Sequence, residues 1–333
     1  MKKGFHLKKL LFRLLSTLLL LGIIGYTAYK VSPWPTALVL RYAFDAGAEK
    51  KSGNLEKYVP AGITALYNRQ YDAADSDARL DVYYPAAASS SATIVWTHGG
   101  GWLSGNKEQL ANYCKILASK GFTVVAIDYA LAPAAHYPTP VKQLNTALGY
   151  LLQNSRQLHI TPNRMVLAGD SAGAHITAQL AAICTSPAYA AGMGIKPAIA
   201  QKALTGVLLY CGPYDLGKID IETGFNGLAK SILWAYCGTK DFTTHPDFAL
   251  ASVNRYVTKD FPATFISAGN GDSLLLQSQV LAQHLGRLGV TVDSLFFPKT
   301  YTPKLPHEYQ FDLDTEAGKL ALERTAAFIN EQP

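Results

Sequence analysis

Short apolar runs, each leading into a stretch of helix length, constrain this chain more than any other feature. The runs are Ile94–Thr97, Val124–Ile127, Met165–Ala168, Val207–Tyr210, Thr264–Ala268 and Ser294–Phe297, and the helical patterns cover 107–119, 141–154, 172–184, 274–288 and 315–330. A strand that is apolar on both faces has to be covered on both sides, and parallel strands joined by helical crossovers meet that need. The pattern predicts an α/β domain with a mostly parallel central sheet and helices on both faces. Ala78–Tyr84 instead alternates like a strand with one exposed face, and Pro85–Ala92 is small and polar, a loop. Residues 216–246 break the rhythm with Gly224, Gly227 and Gly238 and with Phe225, Trp234 and Tyr236, and read as an insertion over the site. Ligands bind such sheets at the carboxyl ends of the strands, so the chemistry is expected just after each run.

The N-terminus is a separate region. Lys2, Lys3, Lys8, Lys9, Arg13 and Lys30 lie in the first thirty residues without a single acid, and the other 24 basic residues balance the 24 acidic ones. The net charge of +6 therefore belongs to the N-terminus, and nothing in the neutral body argues for nucleic acid. Leu10 to Tyr29 is a leucine-rich run of the length that crosses a bilayer's hydrocarbon core. A core helix would not carry a wholly basic flank, and no A-x-A cleavage site follows, so residues 1–30 read as a basic tail and uncleaved signal-anchor, with a cleaved signal as the alternative. Either way the basic flank retains the N-terminus inside and the body is extracytoplasmic. Ser32-Pro33-Trp34-Pro35 ends that helix, residues 36–58 read as helical or partly helical, and 31–60 form a stalk segment ahead of the α/β domain over 61–333.

Met165–Ala168 runs into Gly169-Asp170-Ser171-Ala172-Gly173, a G-x-S-x-G between a strand and a helix. That context pushes the serine out of a sharp turn at a helix N-terminus, where the dipole favours negative charge. Ile94–Thr97 runs into His98-Gly99-Gly100-Gly101-Trp102, a glycine run that exposes backbone N–H groups able to hold an oxyanion; His98 is read as structural. The serine needs a base, and the base an orienting carboxylate, in the chain order Ser, acid, His. Asp272, after Thr264–Ala268 and two glycines, is the first candidate acid, with Asp215 after Val207–Tyr210 as its rival. His307 is the candidate base; His284 lies mid-helix and reads as a helix-face residue. Among the cysteines, Cys114 and Cys184 read as buried thiols, while Cys211 and Cys237 flank the insertion and would be free to pair in an exported domain. No pair has the C-x-x-C spacing of a zinc or redox site, and a serine, base and acid acting together need no metal or organic cofactor, so none is expected.

With HGGGW at 98–102, DYALAP at 128–133, GDSAGAH at 169–175, GNGDSLL at 269–275 and PHEYQF at 306–311, the chain resembles the hormone-sensitive-lipase-like esterases of the α/β-hydrolase fold from about Asp81 to its end. The resemblance implies Ser171 as nucleophile, Asp272 as acid and His307 as base, with an oxyanion hole of the backbone N–H groups of Gly100, Gly101 and Ala172. It also implies a small helical cap made from the N-terminal segment and an insertion after the sixth core strand. Family members often carry an acid just after the LAP and another a turn into the next helix, where this chain has Ala134 and Gln143. The expected activity is that of a serine carboxylesterase on small to medium acyl esters, through an acyl-enzyme. Amide or peptide hydrolysis on the same triad ranks lower, because no large second domain gates peptides. A non-catalytic binding protein on this fold ranks last, because such proteins usually lose a triad member.

Overall fold

The computed structural model of the protein describes residues 2–86, 90–222 and 227–332. Residues 87–89 of the small polar loop, and Gly224 and Phe225 of the insertion, lie outside the described residues. The strands are β1 (Ile63–Gln70), β2 (Arg79–Pro85), β3 (Thr93–Thr97), β4 (Thr123–Ile127), β5 (Met165–Asp170), β6 (Leu204–Tyr210), β7 (Thr264–Ala268) and β8 (Val292–Phe296). They form one sheet in the order β1-β2-β4-β3-β5-β6-β7-β8. β3 to β8 run parallel to their neighbours, while β2 pairs antiparallel with both β4 and β1. This is the sheet of the α/β-hydrolase fold.

Every residue of β3, β4, β5 and β7 is buried, which is why these strands read as continuous apolar runs. Alternate residues serve opposite layers. Ile94 and Trp96 pack in the layer of α3 (Lys107–Ala118) and the C-terminal helix Glu316–Glu331, whereas Val95 packs with α4 (Thr139–Gln153), α5 (Ala172–Thr185) and the helix Leu275–Arg287. The edge strand β1 escapes the sequence pattern because its second half is exposed and carries no alternation to read. The small-residue helix Pro187–Met193 escapes it too.

N-terminal to the sheet, α1 (Lys2–Val31) and α2 (Trp34–Leu55) are separated by the Ser32-Pro33 break, and a short 3₁₀ turn, Glu56–Tyr58, follows. Lys8–Val31 is long and apolar enough to cross a membrane or to serve as a signal sequence, and it is not buried by the body, which it meets near its end through the Lys30 carbonyl. α2 is docked on the sheet's helical layer. Arg41 donates from Nε to the Leu103 carbonyl (2.6 Å) and from Nη2 to that of Ala132 (3.0 Å), Asp45 accepts from the Gly105 N–H (3.0 Å), and Asn112 donates to the Ser52 carbonyl (2.9 Å). The insertion folds as a helix, Ala229–Cys237, flanked by short turns, and that helix packs against α2.

The four cysteines are free, so Cys211 and Cys237 do not pair. Cys211 belongs to one core layer and Cys237 packs against the other, which separates the two thiols.

Candidate active site

Ser171 joins β5 to α5 at φ 51°, ψ −121°, a conformation that costs a side-chain-bearing residue on the order of 1–3 kcal/mol and persists only where the surroundings enforce it. They do so here. The Ser171 N–H donates to the Tyr210 carbonyl at the end of β6 (2.8 Å). Gly173 lets the helix settle on β3, since a Cβ there would sit 2.0 Å from the Thr97 carbonyl oxygen. The hydroxyl thus stands at the N-terminus of a buried helix, at the carboxyl end of a central strand.

The structure brings the three distant residues together. His307 Nε2 lies 2.9 Å from Ser171 Oγ, and His307 Nδ1 lies 2.9 Å from Asp272 Oδ2. Asp272 is held in turn by the Leu274 N–H on Oδ1 (2.8 Å). Asp215 is turned elsewhere: its carboxylate accepts from the Gly217 N–H (3.1 Å) and faces Arg255 (3.4 Å). His284 bonds Asn254 (3.1 Å) on its own helix face.

The glycine loop is fixed from behind. The Gly99 N–H donates to Asp170 Oδ2 (2.8 Å), and Trp96 Nε1 donates to Oδ1 of the same carboxyl (2.7 Å). Tyr129 of the DYALAP segment donates to the His98 and Gly99 carbonyls (3.1 and 3.2 Å) and stacks on the His98 ring at 4.3 Å. Burial lowers the His98 imidazole to about 4, so it is a neutral structural group. Gly100 adopts φ +103°, open to glycine at no steric cost. Trp102 stacks on Tyr236 of the insertion helix at 4.3 Å. Gln143, where relatives often carry an acid, accepts from the Ala130 N–H (2.8 Å) and donates to Asp75 (2.5 Å), so the carboxylate behind DYALAP comes from Asp75.

Gly100, Gly101, Ser171, Ala172 and His307 line one cavity of about 390 Å³. α2 supplies part of its wall through Phe44, Gly47, Ala48 and Lys51, and the insertion contributes Leu228 and Ile232.

Three further residues shape the site: Lys51 and Cys211 lie in none of the motifs, and Glu308 lies in PHEYQF beside His307. Cys211, buried at φ 45°, brings its sulfur within 4.8 Å of ligand atoms of Asp272 and His307, the one such metal-competent trio found among the described residues. Both of its partners are already engaged in the Ser171 hydrogen-bond chain. Glu308 and Lys51 form an ion pair at 2.5 Å, with Glu308 3.9 Å from His307 Nε2. Burial raises the Asp170 carboxyl to about 8, with the Glu308 charge adding to the effect. Burial alone would also raise Glu308, but the His307 and Lys51 charges hold it below its ordinary value. Burial alone would lower His307, yet the Cys211 sulfur and the Asp272 carboxylate raise it well above its usual range. Burial also raises the Cys211 thiol and so disfavours its thiolate, while the neighbouring His307 works the other way. The His307 side chain retains 38% exposure toward the cavity, which weakens the opposing effect of burial.

The family model described as BD-FAE matches residues 80–285, more than half of the chain. Among curated proteins, an acetyl esterase of Salmonella paratyphi B is 28% identical over 212 residues, covering 61% of this chain and 62% of that protein. The chain thus spans less than two thirds of the length of that relative. Among solved structures, esterase B from Lactobacillus rhamnosis is 24% identical with a TM-score of 0.73, covering 89% of this chain and 96% of that one. The hyperthermophilic esterase of the archaeon Pyrobaculum calidifontis is 20% identical with a TM-score of 0.70, covering 93% and 96%. These two likenesses concern the fold.

Proposed function

The chain belongs to the BD-FAE family, among the hormone-sensitive-lipase-like α/β-hydrolases, and on that premise we propose that it is a serine carboxylesterase acting on small to medium acyl esters. The observation that carries this reading is the unbroken chain from Ser171 Oγ through His307 to Asp272, two contacts of 2.9 Å at the floor of a cavity. The names of the relatives, an acetyl esterase and two esterases, support the same reaction class.

In the proposed mechanism Ser171 Oγ attacks the acyl carbonyl while His307 Nε2 takes its proton, and Asp272 holds the imidazole in the required tautomer and stabilises the imidazolium. The backbone N–H groups of Gly100, Gly101 and Ala172 receive the oxyanion, each such donor being worth about 3 kcal/mol in the transition state. His307 returns the proton to the departing alcohol, leaving an acyl-enzyme on Ser171. Water, deprotonated by the same imidazole, then releases the acid. α1 anchors the enzyme in the cell membrane as a single pass, with the catalytic domain on the extracytoplasmic side, as the wholly basic flank before the apolar run supports.

A fluorophosphonate probe followed by peptide mapping tests the nucleophile, with labelling expected at Ser171. A p-nitrophenyl ester series from acetate upward tests the acyl range. Labelling at another serine, or no turnover across the series, would overturn the reading.

A further inference from the structure

The helix α2 has two working faces. Its inner face is fixed to the body by Arg41 and by buried Ala37 and Leu40. Its outer face starts with Trp34, Leu38, Val39 and Tyr42, which are 42, 53, 69 and 81% exposed. Positions 34, 38 and 42 are successive i, i+4 neighbours with 39 beside them, so the four make one apolar stripe. Because Arg41 pins the helix, the stripe cannot turn inward to find cover. One turn further on, the same helix supplies Phe44, Gly47, Ala48 and Lys51 to the cavity wall.

The stripe lies where a lipid surface would be. α2 starts at Trp34, three residues after the membrane-capable helix ends at Val31. Lys240 Nζ donates to the Lys30 carbonyl (3.2 Å), which holds the body against that helix end. Exposed Tyr26 and Tyr29, each within 6 Å of the Lys30 ammonium, and then Trp34 and Tyr42 form an aromatic series of the kind that settles at headgroup level. At 1.5 Å per residue the stripe extends only about 12 Å along α2, within the reach of an interfacial helix.

We infer that α2 lies in the membrane interface with Trp34, Leu38, Val39 and Tyr42 in the acyl–headgroup boundary, and that the cavity takes an amphiphilic ester dissolved in the bilayer. The inference rests on the anchored-esterase reading and names its substrate class. The cavity-lining residues lie on the opposite face of the same helix, so seating the stripe in the interface holds the cavity within about a helix diameter of the lipid that carries the substrate.

The test uses the full chain in phosphatidylcholine vesicles. Brominated lipid should quench tryptophan fluorescence in the wild type and markedly less in Trp34→Phe, since Trp96 and Trp102 are buried and the half-buried Trp234 contributes equally to both proteins. The combined variant Leu38→Glu, Val39→Glu, Tyr42→Glu should lose about tenfold in rate on a long-chain 4-methylumbelliferyl ester embedded in the vesicles, while p-nitrophenyl acetate in solution is turned over as before. Equal quenching in wild type and Trp34→Phe, or an embedded-ester rate unchanged in the combined variant, overturns the inference. If the combined variant misfolds and loses both activities, Tyr42→Glu alone is compared in the same two assays. Failure of the full chain to float with the vesicles overturns the anchor and this inference together. Failure to hydrolyse soluble acetate removes the esterase reading and leaves the quenching test of α2 standing.

Discussion

Ser171 and Asp272 stand at the carboxyl ends of buried strands, whereas Lys51, which lines the same cavity, comes from a helix laid across the outside of the domain. The strand-end residues are aimed by backbone: a strained elbow tied to Tyr210, a carboxylate capped by the Leu274 N–H, and a loop clamped by Asp170 and Tyr129. Lys51 is aimed by a single ion pair to Glu308, 257 residues away, and its side chain remains 42% exposed. The difference suggests a division of labour. On the proposed mechanism the floor, held by several backbone contacts, supplies the chemistry, while the wall, held through one ion pair, tunes it. Substitutions in the floor should therefore act through kcat by orders of magnitude, and substitutions in the wall through small shifts of pH dependence.

The largest effect is expected for Ser171→Ala. Where a triad acts as a unit, loss of the nucleophile costs on the order of a million-fold in kcat, with the fold retained. Thermal melting beside ester turnover checks both parts. Residual turnover within about a hundredfold of wild type would move the nucleophile elsewhere. Next comes Asp272→Asn, which leaves the imidazole in the wrong tautomer and should cost about ten-thousand-fold. Asp215→Asn, whose carboxylate faces Gly217 and Arg255, should leave turnover close to wild type. Steady-state kcat of the two variants ranks them, and the reverse order would assign the acid role to Asp215.

The same contrast explains what was legible in the sequence. Ser171, Asp272 and the glycine loop each follow a buried apolar run, so local pattern finds them, and the fixed chain order leads from them to His307. Lys51 has no such marker, Glu308 is marked only as the neighbour of His307, and Cys211, which does follow the run Val207–Tyr210, looks like its continuation. Lys51 meets Glu308 only because α2 folds back over the sheet, and Cys211 is one more apolar residue at a strand end until the fold sets it beside His307. Gln143 reads as a departure from the family pattern because its compensating acid, Asp75, lies 68 residues away. Lys107 is missed for a related reason. An ammonium at the start of a helix reads as solvated, yet it is buried between Asp81 (3.5 Å) and Asp128 (3.7 Å), which repay the cost of burying a charge.

The smallest effect is the one that tests whether the wall reaches the floor at all. A general base works only when neutral, so kcat/KM should rise as pH passes the pKa of His307 in the free enzyme. An isolated histidine would place that rise near 6.5; the charges beside His307 raise its pKa, so the limb should lie above that value. Ionised Glu308, 3.9 Å from Nε2, favours the imidazolium and contributes to the rise, while Lys51 opposes it by screening Glu308. Glu308→Gln removes the negative charge and should move the limb down. Asp170, relieved of its charged neighbour, ionises more readily and returns part of the change, so the net shift is about half a unit. Lys51→Met removes the opposing charge and should move the limb up by about a few tenths of a unit, less than the 2.5 Å contact suggests because the side chain is well solvated. Opposite displacements of the two variants in kcat/KM against pH, with kcat at the plateau little altered, would show that a helix outside the sheet tunes the base within it. Superimposable profiles would make the Lys51–Glu308 pair a strut that fastens α2 and nothing more.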